Sequence, residues 1–167
     1  MDALEVLKKR RSVREYLDQE IPKDVLEKII EIARFAPTAR NVQPWEFVVI
    51  TQTGMLKKFS ELAENARFMA QAKACIVVFC VDTKYYLEDG CAATCNILLA
   101  AADLGVGSCW VAGDKKDYCA QIVKLLNVPL TCKLVSLIAL GYPKSKDSFR
   151  IADKKALKEV VHWEKYQ

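Results

Sequence analysis

The sequence predicts an α+β fold, a central sheet packed by helices. Two runs, Ala74–Val81 (ACIVVFCV) and Leu134–Leu140 (LVSLIAL), are apolar throughout, as strands buried on both faces are. Segments of helical length and spacing stand between and before them. The elements alternate without a regular βαβ rhythm, and no internal repeat is visible. With 167 residues, 52% of them apolar and 28% charged, the chain is read as one packed domain.

Along the chain, Ala3, Leu4 and Leu7 recur at helical spacing, and Lys8–Arg11 falls near the C-terminus of that first helix. A second helix is predicted from Pro22, a favourable first-turn residue, to about Phe35, with Val25, Leu26, Ile29, Ile30, Ile32 and Ala33 as a wide apolar stripe. Pro37 ends it. A polar loop, Thr38–Pro44, leads into the strand Trp45–Thr51, and Met55–Ala70 reads as helix. Gly90–Leu104 has small residues all round and is expected to be a buried central helix, with Gly105 as its C′ residue. Cys109–Ala112 is a short strand. Asp114 is expected to cap a helix over Lys115–Leu126, and Gly141-Tyr142-Pro143 to end the last strand. The tail, Lys144–Gln167, is charged and shows little core pattern before Val160, Val161 and Trp163. It cannot easily bury these residues alone, so it is expected to reach across a partner subunit.

Composition narrows the function classes. The net charge of +4 is mild and its basic residues are dispersed, so no nucleic-acid partner is expected. The opening MDALEVLKKRR breaks any secretory apolar stretch, and no apolar run is long enough to span a bilayer. A soluble, cytoplasmic protein with no membrane partner is expected. The seven cysteines lack a CxxC pair and lie largely in apolar runs, and the single histidine is His162. They are read as free, buried thiols in a reducing compartment, with no metal site.

Three segments are suited to a ligand. Arg10-Arg11-Ser12-Val13-Arg14 could clamp a phosphate through forked, charge-assisted hydrogen bonds. It could equally be a basic run offsetting a helix C-terminal dipole. The proline-locked loop from Ala36 to Trp45 presents Thr38, Asn41 and Gln43, groups that can read the polar edge of a heterocycle or simply form a turn. The glycines of Leu104–Gly113 permit close backbone approach to a flat ligand. Trp110 stands where the third glycine of GxGxxG belongs, so this is no Rossmann fingerprint, and no Walker A occurs.

In this order and spacing, the segments resemble the nitroreductase family of FMN enzymes. The resemblance rests on R-x-S-x-R near the N-terminus, P-x-x-x-N-x-Q-P-W, the small-residue helix running into L-G-x-G, and the closing V-V-H-W-E-K-Y, and it spans the chain. It implies a mostly antiparallel sheet and an intertwined homodimer with two FMN sites built from both subunits. It further implies that Arg10 and Ser12 hold the FMN phosphate with Arg11 assisting, and that Arg14 faces the polar edge of the ring, where positive charge favours the reduced flavin. Thr38, Ala39 and Asn41 would reach the cofactor from the neighbouring subunit. Ala112 and Gly113 would line the ring by backbone, and Lys154, with Lys155 beside it, would reach the phosphate from the tail. No side chain is expected to be catalytic, and His162 is expected to be structural.

Two departures from the family pattern stand out. Relatives carry P-x-E-G at the flavin-contacting turn, where this chain has Trp110-Val111-Ala112-Gly113 and no carboxylate. The connection Asp82–Asp89 is short where larger relatives insert helices over the substrate pocket. The implied reaction is a ping-pong exchange from NAD(P)H to nitroaromatic, quinone or similar electron-poor acceptors. Two alternatives stay open: a non-catalytic FMN-binding or redox-sensing protein, and a flavin-fragmenting or dehalogenating relative.

Overall fold

A computed structural model describes residues 2–166. Its core is a four-stranded antiparallel sheet in the order β1-β2-β4-β3, with β1 at Trp45–Ile50, β2 at Ala74–Val81, β3 at Gly107–Ala112 and β4 at Cys132–Gly141. The two runs read as doubly buried strands, β2 and β4, are the central pair. Every residue of β2 except Val81 is buried, as are all of β4 except Lys133.

Helices cover both faces. On one, α2 (Lys23–Ala33) and α4 (Tyr86–Asp103) pack against Ile76, Val78, Ile138 and Leu140. On the other, α3 (Thr53–Leu62), a 3-10 segment at Glu64–Gln71 and α5 (Cys119–Leu125) pack against Val77, Phe79, Val111 and Leu137. The alternation of side chains along each strand explains why two separate clusters form. The short helix α1 (Ala3–Lys9) precedes them.

The central helix is buried as expected, through Ala93, Ile97, Leu98 and Ala100–Ala102. It ends in a Schellman motif: Gly105, at φ 73°, donates to the Ala102 carbonyl and Val106 to that of Ala101. Its start differs from expectation. The helix begins at Tyr86, placing Glu88 and Asp89 in the first turn, where the helix dipole favours carboxylates. The connection from β2 is therefore Asp82–Tyr85, shorter still than predicted.

Several other boundaries also move. The predicted helix Met55–Ala70 divides at Ala63, whose extended backbone (φ −105°, ψ 93°) separates α3 from the 3-10 segment. Asp114 caps no helix. Its Oδ1 accepts from the Tyr86 hydroxyl at 2.8 Å, its N–H donates to Leu134, and α5 starts only at Cys119. Gly141 is the last residue of β4, so that strand ends at the Gly141-Tyr142-Pro143 segment as expected. In α1, Val6 is the buried residue, whereas Leu4 and Leu7 are exposed. Ile32 of α2 is exposed too.

Of the cysteines, Cys75, Cys80, Cys109 and Cys132 are buried, as read from their apolar runs. Cys91 and Cys119 are half-buried at the margins of the two core clusters, and Cys95 is exposed. Among the described residues no helix is long and apolar enough to cross a membrane, and no cluster of three or more metal-ligating side chains occurs.

Candidate functional site

The cationic arm that follows α1 is seated on the open edge of the sheet. Val13 donates its N–H to the Ser108 carbonyl at 2.9 Å, and Ser12 pairs with Ser108 in a parallel bridge to β3. Farther on, Tyr16 pairs with Pro143, Leu17 donates to the Tyr142 carbonyl and Lys144 to that of Glu15. The burial of Val13 and Tyr16 makes the attachment firm, and the Tyr16 hydroxyl donates back to the Val13 carbonyl at 2.7 Å. Alternation along this extended arm leaves Ser12 and Arg14 exposed, on the side away from the core.

Two concave regions flank the arm. A cleft of about 580 Å³ is lined by Arg11, Ser12, Arg14 and Glu15 from the arm and by Ser145, Asp147, Ser148 and Arg150 from the chain after β4. Three guanidiniums and three hydroxyls outweigh its two carboxylates, which suits an anion. A groove of about 500 Å³ runs beside β3, lined by Trp110, Val111 and Ala112, by Phe68 and Asn65 of the 3-10 segment, and by Tyr118 and Gln121 near α5. Aromatic and aliphatic side chains share its lining with Glu64, Lys116 and Asp117, so it offers a heterocycle both stacking surface and polar groups. Arg14 lines both, with its guanidinium carbon 5.6 Å from the centroid of the Phe68 ring.

The predicted site residues divide. Arg11, Ser12 and Arg14 line the anion cleft, and Ala112 and Arg14 line the groove. Arg10 is half-buried beside them. Arg11 also does what a helix-end cation does: its Nη2 donates to the Lys8 carbonyl at 2.6 Å and its Nε to that of Lys9 at 3.4 Å. The helix-end reading of the basic run therefore applies to Arg11, which also lines the cleft. Gly113 has a packing reason of its own, since a Cβ there would lie 2.6 Å from the backbone of Val135. The Ala112 carbonyl accepts from the Tyr118 hydroxyl. Lys154 and Lys155 are exposed in the tail and line neither cavity, whereas Arg150, which the sequence pattern did not single out, lines the anion cleft.

Thr38, Ala39 and Asn41 lie elsewhere. Their loop precedes β1, at the opposite edge of the sheet, three strand spacings or roughly 14 Å from β3. Arg40, Asn41 and Gln43 all adopt left-handed φ of 54°, 56° and 52°, a conformation that non-glycine residues hold only when their surroundings impose it. Asp89, also not singled out from the sequence, holds the first two residues of this loop. The Thr38 hydroxyl donates to its Oδ2 at 2.8 Å and the Ala39 N–H to its Oδ1 at 3.1 Å. Within one chain, then, the arm and this loop lie at opposite edges of the sheet.

Comparison with known proteins places this geometry. The nitroreductase family model matches residues 7–77, and a second model, "Putative TM nitroreductase", matches residues 50–167. An Archaeoglobus fulgidus protein named "Putative NADH dehydrogenase/NAD(P)H nitroreductase" is 38% identical, over 99% of both chains. The chain belongs to the nitroreductase family. Among solved structures of the family, the FMN-dependent nitroreductase of Clostridium difficile R20291 superposes with a TM-score of 0.88 at 28% identity, covering 98% of this chain and 99% of that one. The iodotyrosine deiodinase of Nematostella vectensis is 27% identical over 93% of this chain and 72% of its own length. The α+β nitroreductase fold expected from the sequence is the fold observed.

Proposed function

We propose that this nitroreductase-family chain binds FMN as a homodimer and passes electrons from NAD(P)H to small electron-poor acceptors such as nitroaromatics and quinones. The observation that carries the reading is Arg14, which lines both the guanidinium-rich cleft and the groove beside β3. A phosphorylated planar heterocycle needs that pairing. The donor set fits FMN: Arg10, Ser12 and Arg150, with Arg11 near them, would hold the phosphate. Arg14 would meet the polar edge of the ring, and Ala112 and Gly113 would border it through their backbone. The division of Thr38, Ala39 and Asn41 from the arm supports a second chain, whose loop completes each site.

When bound, FMN supplies the hydride and electron chemistry, and the protein contributes position and charge. Arg14 favours negative charge on the reduced ring. The groove is walled by Phe68, Trp110 and Tyr118, which limits water beside the ring without demanding a nucleophile or base. One open groove serves donor and acceptor in turn, so a ping-pong pattern follows. Steady-state oxidation of NADH and NADPH with a nitroaromatic or a quinone tests the reading, with parallel double-reciprocal lines expected and intersecting lines against it.

Two observations weigh on other assignments. Dehalogenation of an aromatic amino acid requires a lid over the substrate, and the Asp82–Tyr85 connection leaves no room for one between β2 and α4. Thiol-based sensing requires thiolates, and burial pushes the Cys75 and Cys80 thiols up, Cys80 to about 12, which weighs against these two buried thiols but not against the exposed Cys95.

A further inference from the structure

Asp89 is a buried carboxylate, 5% exposed, in the first turn of α4. Both of its oxygens face the Thr38–Gln43 loop, which lies about fifty residues earlier in the chain. Oδ2 accepts from the Thr38 hydroxyl at 2.8 Å, and Oδ1 accepts from the Ala39 N–H at 3.1 Å. The Thr38 Oγ1 in turn accepts from the Gln43 N–H at 3.1 Å. The carboxylate thus holds the first end of the loop directly and its far end through Thr38, and Arg40, Asn41 and Gln43 of that loop are left-handed. Local preference alone would relax those residues toward negative φ, so these contacts help hold the loop in shape.

We propose that Asp89 is a positioning residue, locking the Thr38–Gln43 loop in the conformation that meets FMN across the subunit interface. The inference rests on the FMN reading above. It also changes what Thr38 does: with its hydroxyl given to Asp89 and accepting from Gln43, Thr38 shapes the loop, and Asn41 at its tip carries the contact to the cofactor.

The test is FMN dissociation from the loaded full-length protein on dilution, alongside amide hydrogen exchange of the loop. Asp89→Asn, which keeps the volume but offers one acceptor for two donors, is expected to raise the Kd for FMN about tenfold, the loss of one charge-assisted hydrogen bond. The Ala39 and Gln43 amides should exchange faster while the protein still melts cooperatively. Thr38→Val should weaken FMN similarly and Thr38→Ser should restore it. The double variant Asp89→Asn/Thr38→Val should bind no more weakly than the weaker single variant. Unchanged FMN affinity in Asp89→Asn overturns the inference alone. If Asp89→Asn does not fold, the Thr38→Val and Thr38→Ser pair decides it in the same way, with equal affinities counting against it. Failure of the unsubstituted protein to take up FMN overturns the functional reading and this inference together.

Discussion

The N–H of Val13 donates to the carbonyl of Ser108 at 2.9 Å, and this bond seats the cationic arm on the open edge of β3. Gly107, the first residue of that strand, makes the approach possible. A Cβ at position 107 would sit 2.8 Å from Val13 Cγ1, 2.9 Å from its Cβ and 3.0 Å from the Gly141 carbonyl oxygen. Gly107→Ala is therefore expected to destabilise the fold by about 1–3 kcal/mol through overpacking and to displace the arm. Thermal unfolding and FMN retention on gel filtration should both fall. A variant that melts and retains FMN like the parent would show that the arm is seated by something else.

Arg14 links the two halves of the proposed cofactor site, so its loss should be felt more strongly than that of its neighbours. Arg14→Ala is expected to weaken FMN binding by about 10- to 100-fold, in line with the ~1.5–3 kcal/mol of a charge-assisted hydrogen bond. Phe68→Leu removes only the ring beneath the guanidinium and should cost about two- to fivefold, as an exposed cation–π contact does. Fluorescence titration of FMN measures both. The reverse order would mean that Phe68 meets the cofactor directly.

The buried acids predict how stability depends on pH. Burial raises the Cys75 and Cys80 thiols above their ordinary value of 9.0 and the Tyr16 hydroxyl above 10.0. Below about pH 7.5 all three keep their protons in both folded and unfolded chains. Above it the unfolded chain releases protons that the folded chain retains, so folding stability falls with rising pH. The slope should reach ~1.4 kcal/mol per pH unit for each group, first from the two thiols and then from Tyr16. Denaturant unfolding between pH 8 and 11 measures this. A flat profile to pH 11 would mean that these groups ionise equally in the folded protein.

The tail should hold the dimer together. Leu157, Val160, Trp163 and Tyr166 are exposed in the single chain, Trp163 at 79% and Tyr166 at 90%. Among the described elements, α1, α2 and α4 leave an apolar groove of about 440 Å³ lined by Val6, Leu7, Ile32 and Leu99. Deleting residues 156–167 is expected to shift sedimentation from dimer to monomer and, by separating the two chains, to release FMN. A truncated protein that remains a stable dimer would remove the tail from the interface.

What the sequence disclosed follows from the range of the forces involved. The bounds of β2 were legible because a strand buried on both faces is apolar throughout and stops where that run stops. The arm and the Thr38–Pro44 loop were legible as short local patterns. The start of α4 was not, since Tyr86-Leu87-Glu88-Asp89 reads as a polar turn until the helix dipole and the loop partners of Asp89 are known. The break at Ala63 is set by packing, with that residue buried against α3 and the sheet, and its own propensity is helical. Asp89 and Arg150 were missed for one shared reason. Each owes its place to residues far away in the chain, which no local spacing reveals.

The most direct test is the visible spectrum of the purified, untagged protein, with any released cofactor identified after denaturation. Bands near ~450 and ~370 nm, with FMN released, are the predicted result. A colourless protein that also fails to bind added FMN would contradict the account, leaving a nitroreductase fold whose cationic arm serves some other ligand.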